Sequence, residues 1–280
     1  MSKMFDALRR AEAERRRQYE TGDSAREAPA DALHERADFR RSDAPVVARA
    51  DADVRAEVPA RSPAVNGSDP FPGELLRELG ILRNSLETRL EPGTKRVLVF
   101  TSAMHGEGVT TLAIGYSRLL AMHGAARILL MEINARTPSL AGTFALPRPE
   151  GVTDYFEHGT PLDALVQRPD GEDFDVLHVG RADPTLIQIN LERLLPRLFA
   201  DALRTYDAVI VDAPPIVACP ETPPVAPLAD GVVLVVHCGR TKRETVERSV
   251  KQVEQFKGRV VGVVLNRKRY YIPAFIYRRL

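Results

Sequence analysis

Several things are scarce in this sequence, and each scarcity excludes a class of protein. There are two cysteines, Cys219 and Cys238, and neither has a second cysteine or a histidine at metal-ligand spacing. His237 does precede Cys238, but neighbours on a strand face opposite ways, which argues against joint ligation. Both thiols are expected to be structural, in a reducing compartment. No apolar run approaches the ~20 residues of a membrane span, and the N-terminus has no apolar signal core. A cytoplasmic location is therefore the expectation. The net charge is only +1, so bulk attraction to nucleic acid is absent and no nucleic-acid partner is expected. What remains is ordinary: 44% hydrophobic residues over 280 positions, enough to bury a full core as one domain plus something extra.

Composition divides the chain into four parts. Residues 1–20 read as a charged, amphipathic helix with Met4, Phe5 and Leu8 on one face, too few apolar residues to hold a free helix of that length. It reads equally as a solvated helix or as a docking peptide. Residues 21–72 are rich in Ala, Asp, Arg, Pro and Ser, keep no period, and cannot bury enough apolar surface to offset their ordering entropy; a disordered linker is expected. Residues 73–268 carry the periodic segments of a domain, and 269–280 form an aromatic and basic tail. Within the domain, Leu75, Leu79, Leu82 and Leu86 make a helical stripe. Apolar runs at 97–100, 127–133, 174–179, 206–212, 231–237 and 260–265 alternate with helical segments. That alternation predicts an α/β domain with a doubly wound, mainly parallel sheet. Ligands in such sheets bind at the carboxyl ends of the strands, where the Gly106 loop, Glu132, Asp212 and Asn266 fall.

The organising stretch is Lys95 to Thr111. Apolar Val97 to Phe100 leads into a loop with Gly106, Glu107 and Gly108, then into a helix opening with Thr110 and Thr111. Strand, glycine loop and helix together form a phosphate cradle, with backbone N–H groups turned inward and the positive end of the helix beneath them. In the G-x-x-x-x-G-K-[ST] pattern a lysine precedes the hydroxyl residue; here Val109 stands there. Without a ligand, Gly106 and Gly108 would serve only a tight turn, and Asp212 before Pro214 and Pro215 only a strand end.

From about Gly73 to Asn266 the chain resembles the cytoplasmic tyrosine autokinases of bacteria, in the P-loop branch that includes the ParA/MinD ATPases. The resemblance rests on Thr101-Ser102, Gly106-Glu107-Gly108 and Thr110-Thr111, on Arg136 and Pro138, and on Tyr206-Asp207 with Val209-Ile210-Val211-Asp212. It rests also on Ala229-Asp230-Gly231, Gly239-Arg240-Thr241 and Gly262 to Arg267, while Met4 to Glu12 resembles the start of exopolysaccharide-associated members. The resemblance implies nucleotide binding at Gly106, Glu107, Gly108, Thr110, Thr111 and Asn266, and Mg²⁺ at Thr110 and Asp212. It implies catalysis through Glu132 and Asp212 if the site is active, phosphoacceptors at Tyr270, Tyr271 and Tyr277, and an inner-membrane polysaccharide chain-length or export protein as partner. That partner would hold the protein peripherally at the inner membrane; self-association is a further implication.

The departures fall where the chemistry is. Val109 replaces lysine; a lysine–phosphate hydrogen bond contributes roughly 1.5–3 kcal/mol, and one preorganised charge donor about 10²–10³ in rate. The Asp-x-Asp-x-Arg of relatives reads Glu132-Ile133-Asn134-Ala135-Arg136, and Asn134 cannot act as a base. In the first helix, if Arg83 fills the last position of the Glu-x-x-Arg-x-x-Arg repeat used for ring packing, the earlier two fall on Arg77 and Gly80, which do not match it. ATP and Mg²⁺ are thus expected to bind weakly or not at all, which points to a degenerate regulator or scaffold of exopolysaccharide synthesis or export. Two alternatives stay open: an active autokinase using His105, Arg136 or a partner's residue in place of lysine, and a ParA/MinD-like positioning ATPase. Glu107 is expected to be solvated, and the tail to meet a partner or membrane surface.

Overall fold

The computed structural model describes residues 46–49, 73–91, 95–124 and 126–268. The expected N-terminal helix, most of the expected linker, and the tail with Tyr270, Tyr271 and Tyr277 lie outside the described residues. Within them the strands are β1 (Val46–Arg49), β2 (Arg96–Ser102), β3 (Ile128–Glu132), β4 (Asp175–Leu177), β5 (Ala208–Asp212), β6 (Gly231–His237) and β7 (Val260–Asn266). The helices are α1 (Gly73–Glu87), α2 (Val109–Met122), α3 (Leu140–Thr143), α4 (Val152–His158), α5 (Leu162–Leu165), α6 (Pro184–Thr205) and α7 (Arg243–Gln255), with a 3₁₀ turn over Pro223–Leu228.

All neighbouring strands run parallel, in the order β1-β7-β6-β2-β5-β3-β4. This is the P-loop NTPase-like α/β architecture expected from the alternation of elements. Residue by residue, the period of two divides the sheet between two cores. Val97, Val99, Val209 and Val211 join one core with helices α4 to α6, while Leu98, Phe100 and Ile210 join another with α1 and α2. Of the predicted leucine stripe, Leu79, Leu82 and Leu86 are all buried in that second core.

Two segments depart from expectation. Val46–Arg49, inside the stretch read as a linker, is a strand paired with Gly262 to Leu265 of β7. An edge strand presents unpaired backbone donors and acceptors, and a short extended segment satisfies them without needing a patterned sequence of its own. Helix α6 begins at Pro184, where the apolar pattern predicts a helix only over 191–203. Asp183 caps it, accepting from the N–H groups of Thr185 and Leu186 at 3.0 and 3.1 Å, and Pro184 occupies the first turn, where its missing N–H costs nothing.

Candidate functional site

The carboxyl ends of β2, β3, β5 and β7 carry the expected residues. After β2 the chain turns through Gly106 (φ +76°) and Gly108 (φ +91°) into α2, whose N-terminus has no side-chain cap. Gly108 holds a φ that residues with a Cβ rarely adopt, and a Cβ there would also displace the Asn266 side chain, whose Nδ2 would lie 2.2 Å away. His105 and Thr111 are exposed.

The carboxylate side of the site is fully buried. Thr110 in the first turn of α2 donates its hydroxyl to Oδ2 of Asp212 at 2.6 Å. Oδ1 of Asp212 is buried with no hydrogen-bond partner in the structure. Burial pushes the Asp212 carboxyl up to about 7, the Thr110 hydroxyl lowers it, and the nearby Glu132 charge raises it again. Asp212 and Glu132 are paired neighbours across β5 and β3.

Glu132 is already committed. Its Oε1 accepts from the N–H of Ser139 at 2.6 Å and of Leu140 at 3.1 Å, tying the chain after β3 back to the strand end. Desolvation raises its pKa, and these backbone donors work the other way. Asn134 closes a local turn, accepting from the Thr137 N–H at 3.2 Å and donating to its hydroxyl at 3.0 Å. The Arg136 guanidinium forks onto buried Glu221, at 2.6 and 3.1 Å.

Glu107 corrects the expectation of a solvated residue. It is 1% exposed and accepts from the Met104 N–H at 2.8 Å, the His237 N–H at 2.9 Å and the Thr241 hydroxyl. Its own carbonyl accepts from Nδ2 of Asn266 at 2.8 Å. Glu107 and Asn266, both expected to bind nucleotide, here lock the loop to the ends of β6 and β7. Sequence reasoning could not find this latch, because His237, Thr241 and Asn266 are far from Glu107 along the chain. The only signal for Thr241 and Asn266 was membership in motifs shared with relatives.

Val109 occupies the first position of α2 and packs in the core beside Phe100 and Val264, 8% exposed. A buried branched aliphatic side chain brings no charge to the cradle.

The fold and this loop define the class: a P-loop NTPase-like α/β domain. No protein-family profile matches the chain. Among curated proteins it is similar to Tyrosine-protein kinase YwqD of Bacillus subtilis (strain 168), 27% identical over 188 residues that cover 67% of this chain and 79% of that protein. It is similar also to Tyrosine-protein kinase CpsD of Streptococcus agalactiae, 27% identical over 187 residues, 66% of this chain and 81% of that protein. Among solved structures, the VpsO kinase domain superposes with a TM-score of 0.61 at 26% identity, covering 70% of this chain and 98% of that one. The kinase domain of the Escherichia coli tyrosine kinase ETK shares the fold, with a TM-score of 0.65 at 22% identity over 71% of this chain and 79% of that one. The chain is thus a relative of bacterial tyrosine-protein kinases, as the motifs indicated. No helix among the described residues is long and apolar enough to cross a membrane.

Proposed function

We propose that this chain is a catalytically degenerate tyrosine-kinase-like protein of exopolysaccharide synthesis or export, which regulates or scaffolds a membrane partner rather than transferring phosphate. The observation that carries this reading is Val109, neutral and packed into the core at the first turn of α2. Phosphoryl transfer consists mainly of positioning and of neutralising phosphate charge. A lysine ammonium would supply that charge as a point donor to the outer phosphates. Of the side chains that could stand in for it, Arg136 is engaged with Glu221, while His105 is exposed in the loop.

The residues present fit Mg²⁺ better than they fit a full triphosphate. A hydroxyl from Thr110 and a carboxylate from Asp212, with one buried oxygen of that carboxylate unpartnered, are the oxygen donors that such an ion takes beside phosphates and water. When bound, the ion would supply charge neutralisation of phosphate oxygens. The chain's own contributions are the amides of the glycine loop, held in place by Glu107, and the uncapped start of α2. The exopolysaccharide context, the inner-membrane partner and a peripheral position at that membrane come from the resemblance to capsule and exopolysaccharide kinases.

The test is calorimetric titration with Mg²⁺-ATP and Mg²⁺-ADP at millimolar ligand, paired with a phosphotyrosine assay. Weak or no heat and no turnover is the expected result. Micromolar binding with phosphate appearing on Tyr270, Tyr271 or Tyr277 would overturn it in favour of an active autokinase, a reading that the intact Thr110–Asp212 pair supports.

A further inference from the structure

Away from the glycine loop, a groove of about 510 Å³ runs between α6 and the α4–α5 segment. Phe156, Leu162 and Leu194 give it an apolar floor, Arg193, Arg197 and Arg204 line one wall from a single face of α6, and the carboxylates of Asp163 and Asp201 also border it, so that arginines outnumber carboxylates. That volume falls among ordinary ligand sites.

The arginines of this wall are poorly matched. Elsewhere guanidinium groups meet carboxylates at close range, as in Arg168–Asp175 at 2.7 Å and Arg181–Glu157 at 2.6 Å. In the groove, Arg197 and Arg204 share one carboxylate, Asp201, at 4.0 and 3.7 Å, and that carboxylate already accepts from the Tyr155 hydroxyl at 2.7 Å. Arg193 reaches only the neutral amide of Asn190, at 3.5 Å. A charge-assisted bond prefers about 2.7–2.9 Å, so most of the donors on this wall are unspent. Ile189, one turn earlier on the same face, is 69% exposed.

We propose that this groove binds an extended acidic peptide segment of a protein partner, with its carboxylates on the three arginines and an apolar side chain on the floor. Spacing favours an extended chain over a compact anion. Along a helix rising ~1.5 Å per residue, Arg193 and Arg204 stand roughly 16 Å apart, the span of about five residues of extended peptide. One phosphate or one small acid would engage only one end of that row. The proposal stands independently of the state of the nucleotide site.

Fluorescence anisotropy with the full chain and a short fluorescein-labelled peptide of glutamates alternating with leucine and phenylalanine tests it. Saturable binding is expected, weakened by salt and weakened at least about tenfold by the combined change R193E, R197E and R204E. The glutamine triple R193Q, R197Q and R204Q, with an unchanged melting temperature, guards against unfolding and should also lose affinity. Absence of saturable binding, or equal binding by the variants, would overturn the proposal. So would tighter binding of alginate or of phosphatidylglycerol vesicles that the same variants abolish, which would assign the wall to acidic polysaccharide or to lipid.

Discussion

Glu107 shows how a single side chain can tie a glycine loop to a neighbouring strand end. Replacing it with alanine would leave the partly buried N–H groups of Met104 and His237 without their acceptor, at up to about 1–3 kcal/mol each. Urea unfolding should report a loss of that order, and E107Q should also lose stability, because it keeps one accepting oxygen but turns an amide NH₂ onto the other N–H donor. Val109→Lys together with Asn134→Asp should raise Mg²⁺-ATP affinity by roughly ten- to hundred-fold in calorimetry, since the loop geometry is already in place. If affinity does not move, the cradle itself has changed shape and the lysine is not the missing part. His178 gives a pH signature. Its Nε2 lies 3.0 Å from the Arg148 carbonyl and its Nδ1 accepts from the Gly180 N–H at 3.1 Å, an arrangement for the neutral ring. Burial holds its pKa below the ordinary value of 6.5. The unfolded chain therefore takes up the proton first as pH falls. This contribution to stability is complete above about pH 6.5 and is lost progressively below it. Urea midpoints at pH 7.5 and 5.5 should differ in that direction, and His178→Gln should reduce the difference.

At the scale of elements, the sheet was readable because its strands are continuous apolar runs, and the leucine stripe placed α1 correctly. Leu82→Ala should cost about 2–5 kcal/mol in urea unfolding, because the side chain is 1% exposed in the core beneath α1. The positions of Asp212, Glu132 and the glycine loop were also legible, since each sits at the end of a recognisable strand. Their occupation was not. That Glu132 serves the turn into α3, that Arg136 pairs with Glu221 and that Glu107 faces inward all depend on partners brought close only by the fold. β1 was illegible for another reason: its pairing is dictated by the free edge of β7, not by any pattern within Val46–Arg49. The start of α6 could have been read from Asp183 and Pro184, whose cap and first-turn chemistry is local.

For the molecule as a whole, the fold and the phosphate chemistry are separable. The two cores hold the sheet through apolar packing on both faces, and the glycine loop is tied to β6 and β7 by Glu107 and Asn266. Such a chain can lose catalytic residues and still present its surfaces to partners, which is the condition a scaffold requires. Removal of residues 1–50 should speed hydrogen exchange at those β7 amides that face β1, leaving the ones bonded to β6 protected. Unchanged exchange across β7 would mean that the edge pairing contributes nothing in solution. The same pairing has a mechanical side. Because β1 and β7 run parallel and adjacent, a pull applied between residues 46 and 266 draws the two strands past each other lengthwise. Every rung of that ladder then bears load at once, instead of opening one after another as in a zip. Force applied along the chain between those two ends would meet its stiffest resistance along that seam.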